Sequence, residues 1–151
     1  MKHKAKLVAL TMGESGMPNT AEERRDIARH ILERLKKDGF DAANLYFDPL
    51  IRPVSTEPGQ AGEFLRSIPL IKSLGPVKVI CGLSNVSYGL PNRKTINSVF
   101  LSMAIHAGLD AAILDPTDKT MIASLRSSEA LLGMDEYCAG YIKSFREGKL
   151  A

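Results

Sequence analysis

The sequence has few of the side chains that bind metal ions or form disulfides. Its 151 residues include two cysteines, three histidines and no tryptophan. Cys81 and Cys138 stand far apart and outside any Cys-x-x-Cys pair, so we expect two reduced thiols, buried or half-buried. The histidines show no His-x-His or His-x-x-x-His spacing and have no neighbouring cysteine. The sequence therefore predicts no protein-bound metal.

Long apolar runs and an excess of one charge are also missing. No stretch approaches the roughly 20 apolar residues of a membrane span, and the basic start at residues 1–4 leads into no signal-peptide core. The net charge is +3, and the charged runs at 22–26 and 33–38 mix both signs. Such runs are typical of solvated helix faces rather than of nucleic-acid contacts. We therefore expect a cytoplasmic protein that binds neither a membrane nor nucleic acid.

Several common catalytic motifs are absent as well. No Gly-x-Gly-x-x-Gly follows the first predicted strand, which argues against a dinucleotide site. The P-loop signature, the Gly-x-Ser-x-Gly of serine hydrolases and the His-Glu-x-x-His of zinc proteases are missing too. The usual phosphate, serine-hydrolase and zinc-protease functions are therefore not indicated.

What the sequence does contain is a fourfold repetition of an apolar strand, a loop and an amphipathic helix. Its length and its hydrophobic fraction of 44% suit one domain over residues 1–151. The units recur at the spacing of a βαβ array, with predicted strands at 7–12, 44–50, 77–81 and 111–116. Such units form either an open doubly wound sheet or half of an eight-stranded barrel, and periodicity alone does not decide between them.

The predicted helices carry recognisable start signals and one internal breaker. Thr20 and Glu23 have the spacing of a capping box. Thr117 or Asp118 is the expected cap of the helix that follows the fourth strand. Pro69 lies inside the second helix, where we expect it to kink or split that helix.

The chain ends in a helix with an aromatic stripe. Its members recur at helical spacing: Tyr137, Tyr141, Ile142 and Phe145. We expect this stripe to pack against the body of the protein rather than to bind a cofactor.

Polar residues stand where three strands end, namely Asp48, Ser84 with Asn85, and Asp115. Carboxyl ends of parallel strands meet at one edge of a sheet, which is where α/β folds bind ligands. A carboxylate suits two adjacent N–H donors, such as the amino-pyrimidine edge of a pterin, and an amide donates and accepts at once. Alternatively, Asp48 and Asp115 only cap loops ahead of prolines, and Asn85 only satisfies backbone groups.

One stretch is more specific than these patterns. Residues 82–93, GLSNVSYGLPNR, followed by Asn97 and by 108–113, resemble the methyltetrahydrofolate:corrinoid/iron-sulfur protein methyltransferase family, which is related to the folate domain of cobalamin-dependent methionine synthase. The segments 7–12 and 46–50 match that family's fifth and sixth strands. The resemblance implies an α/β fold of four βα units, the C-terminal half of a pterin-binding TIM (β/α)8 barrel, plus a C-terminal helix.

The resemblance also implies roles for named residues. The aspartate matching Asp48 hydrogen-bonds the pterin ring in that family. The asparagine matching Asn85 lies near N5, which carries the methyl group, and is the implied catalytic residue. Gly82, Ser84 and Tyr88 are implied as further pterin contacts.

The implied reaction moves the N5-methyl group of methyltetrahydrofolate to the cobalt of a corrinoid (cobalamin) held by a separate protein. A tertiary amine is a poor leaving group, so protonation or hydrogen bonding at N5 must assist, and the amide of Asn85 can accept from a protonated N5. A methanopterin-type relative of folate remains an alternative methyl donor. Dihydropteroate synthase is disfavoured, because it has a lysine at the position of Asn85 and Arg-x-His where this chain has residues 115–117, Asp-Pro-Thr.

Members of that family have eight strands, and this sequence matches the last four. The strands at 7–12 and 111–115 are then each expected to have an unpaired edge, and the core is expected to be one-sided. Exposed edges of this kind favour association with another chain. Three outcomes stay open: a separately encoded N-terminal half completes the barrel, a second copy pairs with the first, or the chain is a truncated, non-catalytic half-barrel that binds pterin or a partner.

Overall fold

The computed structural model describes residues 5–14 and 16–150, so the basic start at 1–4, with His3, lies outside the described residues. Four strands alternate with the helices in these ranges, where no helix is long and apolar enough to cross a membrane. The strands are β1 (Leu7–Leu10), β2 (Leu45–Asp48), β3 (Lys78–Gly82) and β4 (Ala111–Ile113). The helices are α1 (Ala21–Lys37), α2 (Gln60–Lys72), α3 (Arg93–His106), α4 (Lys119–Leu131) and α5 (Ala139–Arg146).

The strand order decides between the two architectures that the sequence left open. The four strands are parallel and adjacent in the order β1-β2-β3-β4. Parallel crossovers are right-handed, so crossovers that all step in one direction place every connecting helix on the same face. A doubly wound sheet reverses its strand order and carries helices on both faces. The sheet therefore has the topology of half of a barrel, as the family resemblance implied.

The core lies between the sheet and its helices. Alternate strand residues point into it, and Leu45, Phe47 and Val79 are fully buried there. Phe64 of α2 packs against Phe100 of α3 with ring centroids 5.5 Å apart. This one-sided packing holds α1 to α4 over one face of the sheet.

The opposite face and the two end strands are open. Val8 and Leu10 of β1 are about half exposed, at 52% and 46%, and Ile113 of β4 is 66% exposed. Across the middle of this face, the ammonium group of Lys78 lies 5.4 Å from the ring centroid of Tyr46, a cation–π contact. Within the described residues of the single chain, β1 and β4 are therefore the end strands of the sheet and the core lies on one of its faces.

The helix caps form where the sequence signals predicted them, whereas Pro69 does not split its helix. In the capping box, the Glu23 N–H donates to Thr20 Oγ1 at 3.1 Å and the Thr20 N–H donates to Glu23 Oε2 at 3.2 Å. Asp118 caps α4 by accepting from the Thr120 N–H at 3.0 Å. The expected split at Pro69 is wrong, because α2 runs unbroken to Lys72. Pro69 has no N–H to donate to the carbonyl four residues earlier, yet the helix continues for three more residues beyond it.

Arg24 overturns the expectation that the mixed-charge run at the start of α1 is fully solvated. It is completely buried. Its guanidinium donates to the Pro49 carbonyl at 2.8 Å, to the Asn19 and Thr20 carbonyls at 3.3 and 3.2 Å, and to Gln60 Oε1 at 2.9 Å. Arg24 therefore joins α1 and α2 to the loop that follows β2.

We expect Arg24→Met to lower the free energy of unfolding by about 3 kcal/mol, because several buried acceptors lose their donor. Urea denaturation followed by circular dichroism measures this. Arg29→Met is the control, since the Arg29 side chain on the same helix is 47% exposed and its ion pair with Asp26 contributes little. Equal stability of the two variants would contradict the structural role of Arg24.

The C-terminal aromatic stripe does not pack as expected. Tyr137 is 90% exposed and Phe145 is 68% exposed. Two features explain this: Tyr137 lies in a 3-10 turn before α5 rather than on it, and α5 buries Ser144 instead of the stripe. The expectation of buried thiols is confirmed for Cys81 and wrong for Cys138, which is exposed.

Candidate functional site

A small cleft opens at the carboxyl ends of β2 and β3. Its volume is about 210 Å³, and it is lined by Met17, Asp48, Leu50, Ile51, Gly82 and Asn85. Three of the residues that the sequence singled out, Asp48, Gly82 and Asn85, therefore meet in one place. The loops after two neighbouring parallel strands bring them together.

Asp48 ends β2 and presents a half-buried carboxylate to the cleft. One oxygen, Oδ1, accepts from the Leu50 N–H at 2.9 Å, and Leu50 has a left-handed backbone with φ of 61°. Burial raises the pKa of Asp48, while the backbone N–H groups of Leu50 and Gly82 oppose that rise. Asp48 thus caps its turn. Its carboxylate can also accept hydrogen bonds from N–H donors of a ligand, which would favour the ionised form.

Asn85 lies in a 3-10 turn, Leu83–Ser87, directly after β3. Its Nδ2 donates to the Ile51 carbonyl at 2.5 Å, and the Val54 N–H donates to the Val86 carbonyl at 3.0 Å. These bonds join the loop after β2 to the loop after β3. With the amino group committed to Ile51, the carbonyl oxygen of Asn85 is the atom that can accept from a ligand.

Arg93, at the start of α3, donates two hydrogen bonds to the same turn. Its Nη2 donates to the Ser84 carbonyl at 2.7 Å and its Nε donates to Ser87 Oγ at 3.0 Å. Sequence reasoning missed both arginines that support the site, Arg24 and Arg93. Arg93 ends the GLSNVSYGLPNR stretch, but nothing in its spacing indicated a support for the loop.

Two predicted site residues do not reach the cleft. Ser84 lines a neighbouring cavity of about 270 Å³, together with Asn97 and Asp115. Tyr88 has a side chain that is 63% exposed, and its carbonyl accepts from Ser55 Oγ at 2.7 Å. The predicted contacts are therefore divided between the cleft, an adjoining cavity and the surface.

Asp115 behaves as a loop cap. Its Oδ1 accepts from the Thr117 hydroxyl at 2.7 Å and from the Thr117 N–H at 2.8 Å. These two hydrogen bonds lower the pKa of Asp115. The alternative interpretation from the sequence, turn chemistry ahead of a proline, describes this residue well.

Cys81 lies on the helix-covered face of β3 and is fully buried. Burial, and then the charge of Asp48, raise the pKa of the Cys81 thiol far above its usual range. The thiol stays protonated and is a packing residue rather than a nucleophile. Within 5–14 and 16–150, no group of three or more histidine, cysteine, aspartate or glutamate side chains has the arrangement to hold a metal ion.

The parallel strands follow one another in chain order, and a polar cleft lies at their carboxyl ends. This arrangement is typical of barrel proteins that bind small ligands at the carboxyl face of the sheet. The sequence model of the pterin-binding enzymes matches residues 1–115. The chain therefore belongs to the pterin-binding enzyme family.

The chain is similar to methyltransferases and methionine synthases that are longer than it is. The chain is 36% identical over 145 residues to a methylcorrinoid:tetrahydrofolate methyltransferase of Eubacterium limosum, covering 95% of this chain and 54% of that protein. It is 36% identical over 121 residues to the methionine synthases of Mycobacterium tuberculosis and Mycobacterium leprae, covering 75% of this chain and 10% of each. The chain thus spans about half the length of the first of these relatives.

Proposed function

We propose that the chain supplies half of the site of a methyltransferase that moves a methyl group between N5 of a tetrahydrofolate and the cobalt of a corrinoid on a separate protein. The observation that carries the proposal is the meeting of Asp48 and Asn85 in one cleft at the carboxyl end of the sheet. The family membership and the methyltransferase relatives support it. The corrinoid supplies the cobalt that exchanges the methyl group.

Asp48 is the residue proposed to bind the pterin. The amino-pyrimidine edge of a pterin presents adjacent N–H donors, and an ionised carboxylate accepts two such bonds. Hydrogen bonds from the pterin would replace the hydration that the half-buried carboxylate of Asp48 lost on folding. Gly82, beside it in the cleft, has no side chain to obstruct the ring.

Asn85 is the proposed catalytic residue. Its bond to the Ile51 carbonyl fixes the amide so that the carbonyl oxygen can accept from a protonated N5. Such a bond favours the protonated amine as the bond between nitrogen and the methyl carbon breaks or forms. The bond to Ile51 favours a single orientation of the Asn85 amide.

The sequence resemblance suggests transfer from folate to cobalt, whereas the name of the Eubacterium relative, methylcorrinoid:tetrahydrofolate methyltransferase, has the corrinoid as donor and tetrahydrofolate as acceptor. The two directions pass through the same transition state. Asp48 and Asn85 therefore have the same roles in both, and the proposal covers the transfer in either direction.

The open face of the sheet is proposed to receive a complementary half-barrel of four βα units. Such a partner would pair with both end strands and cover Val8, Leu10 and Ile113, which now expose apolar area to water. It is expected to carry a carboxylate opposite Lys78. A second copy of the chain is the alternative occupant, and it would place a second Lys78 against the first. The charge on this face therefore favours a different half.

A non-catalytic half-barrel is the second candidate function, and the same open face favours it. We expect the isolated chain to self-associate through this face, and to bind tetrahydrofolate weakly because its cleft is small and open. Adding a complementary half, expressed from the first four strand–helix units of the Eubacterium relative, should yield a 1:1 complex, called here the assembled barrel. Light scattering measures the mass and calorimetry the affinity.

A monomer that stays monomeric with the complementary half would contradict the completion of the barrel. An assembled barrel that binds no tetrahydrofolate would contradict the pterin function and favour the assembly role.

A further inference from the structure

A groove between α4 and α5 carries an excess of positive charge. Its volume is about 500 Å³. Four basic side chains line it, Lys119, Arg126, Lys143 and Lys149, with a single acidic side chain, Glu147. The proposed methyl transfer uses none of these residues.

Ion pairs compensate only part of this charge, and one of them joins Arg126 to Glu129 at 2.7 Å. Glu147 accepts from Lys149 at 2.6 Å and lies 4.0 Å from Lys143, so one carboxylate serves two ammonium groups. Lys119 forms no ion pair with any residue in 5–14 or 16–150. The groove therefore attracts an anion with more than one negative charge.

One polar group in the groove lacks a hydrogen-bond partner among the described residues. The Arg126 Nε is buried without an acceptor, although Nη1 of the same side chain pairs with Glu129 at 2.7 Å. An unsatisfied buried donor is costly, so an acceptor oxygen of a ligand would stabilise this group.

The groove opens on the same rim of the sheet as the pterin cleft. Residues 116, 117 and 119 line it, while their neighbours Asp115 and Asp118 line the cavity that also contains Ser84. Asn85, next to Ser84, lines the cleft itself. The cleft, the cavity and the start of the groove are therefore lined by neighbouring residues of the loops after β2, β3 and β4, and the groove continues between α4 and α5.

We propose that this groove binds the oligoglutamate tail of a folate whose pterin ring occupies the cleft. This inference rests on the proposed function. Each added glutamate contributes a carboxylate, so the tail offers the charge and the acceptor oxygens that the groove lacks. The neutral part of the folate would cross the cavity at Asp115 and Asp118, and only the charged tail would reach the lysines.

The test is calorimetry with γ-linked pentaglutamate on the full chain at low salt. We expect binding that weakens as salt is added and falls about two- to fivefold in each of Lys119→Gln and Lys143→Gln. The controls are Lys36→Gln and Lys37→Gln in the exposed last turn of α1, which should leave the affinity unchanged. Absence of binding, equal losses in the controls, or equally tight binding of inorganic phosphate would overturn the inference.

A second measurement separates this inference from the proposed function. The assembled barrel should bind pentaglutamyl tetrahydrofolate more tightly than the monoglutamate, and Lys143→Gln should reduce that difference. Equal affinity for both forms would overturn the tail site and leave the proposed function standing. If neither form binds, the proposed function itself fails.

Discussion

Replacing Asp48 with asparagine is expected to weaken tetrahydrofolate binding by the assembled barrel about tenfold to a hundredfold. Asparagine keeps an oxygen for the Leu50 N–H, so the turn after β2 should persist. It loses the negative charge, and its amino group cannot accept from the pterin. Hydrogen bonds to charged groups contribute about 1.5–3 kcal/mol, which gives this range. Calorimetry at neutral pH measures the effect.

Asp41→Asn is the matched control, since Asp41 also accepts from the backbone N–H two residues further on, that of Ala43 at 3.0 Å, but lies before the amino end of β2 and outside the cleft. We expect it to leave the affinity within about twofold of the parent, in line with surface substitutions generally. Equal losses in both variants, or no loss in Asp48→Asn, would contradict the role of Asp48.

The Asp48 carboxylate also predicts a pH dependence. The N–H donors of the pterin favour the ionised form, so affinity should fall as the pH is lowered through the pKa of Asp48. Because burial raises that pKa, the loss should begin at a higher pH than it would for an exposed aspartate. The Asp48→Asn variant should lack this dependence. The same profile in both variants would assign the titration to another group.

Replacing Asn85 with alanine is expected to lower the rate of methyl transfer by the assembled barrel about a hundredfold. This is the lower end of the rate losses seen when a proton-transfer or charge-stabilising contact is removed. The affinity for tetrahydrofolate should fall less than tenfold, because Asp48 still anchors the ring. Single-turnover kinetics and calorimetry measure the two quantities separately.

Asn44→Ala is the control for this experiment. Asn44 lies at the amino end of β2 and donates to Asp41 at 3.2 Å, far along the strand from the cleft. It should change neither the rate nor the affinity. If Asn85→Ala keeps the parent rate, the catalytic role fails. A loss in affinity as large as the loss in rate would assign Asn85 to binding and to the support of Ile51.

The sequence predicted the repeated units and the polar residues at the strand ends because both depend on local signals. Apolar runs ending in Asp48, and in Gly82 to Asn85, mark strand ends, and parallel pairing then brings those ends together. The choice between a doubly wound sheet and a half-barrel needed the strand order, which depends on how the strands pair across the sheet. Only the family resemblance pointed to the barrel in advance.

The missed features all depend on contacts between distant parts of the chain. Arg24 stands in a run of charged residues, and its burial follows from acceptors 25 and 36 positions away in Pro49 and Gln60. The bond from Asn85 to Ile51 spans 34 positions. Exposure of Phe145 depends on which side of α5 meets α4. Periodicity identifies an apolar stripe but does not reveal whether anything covers it.

The most direct test of the central claim is methyl transfer by the assembled barrel in the presence of methyltetrahydrofolate and a reduced corrinoid protein, followed by the absorbance of the corrinoid. We predict transfer when both halves are present, little or none with either half alone, and a large loss with Asn85→Ala. No transfer in the complete mixture would contradict the proposal that this chain is half of a methyltransferase, as would an Asn85→Ala variant that is as fast as the parent.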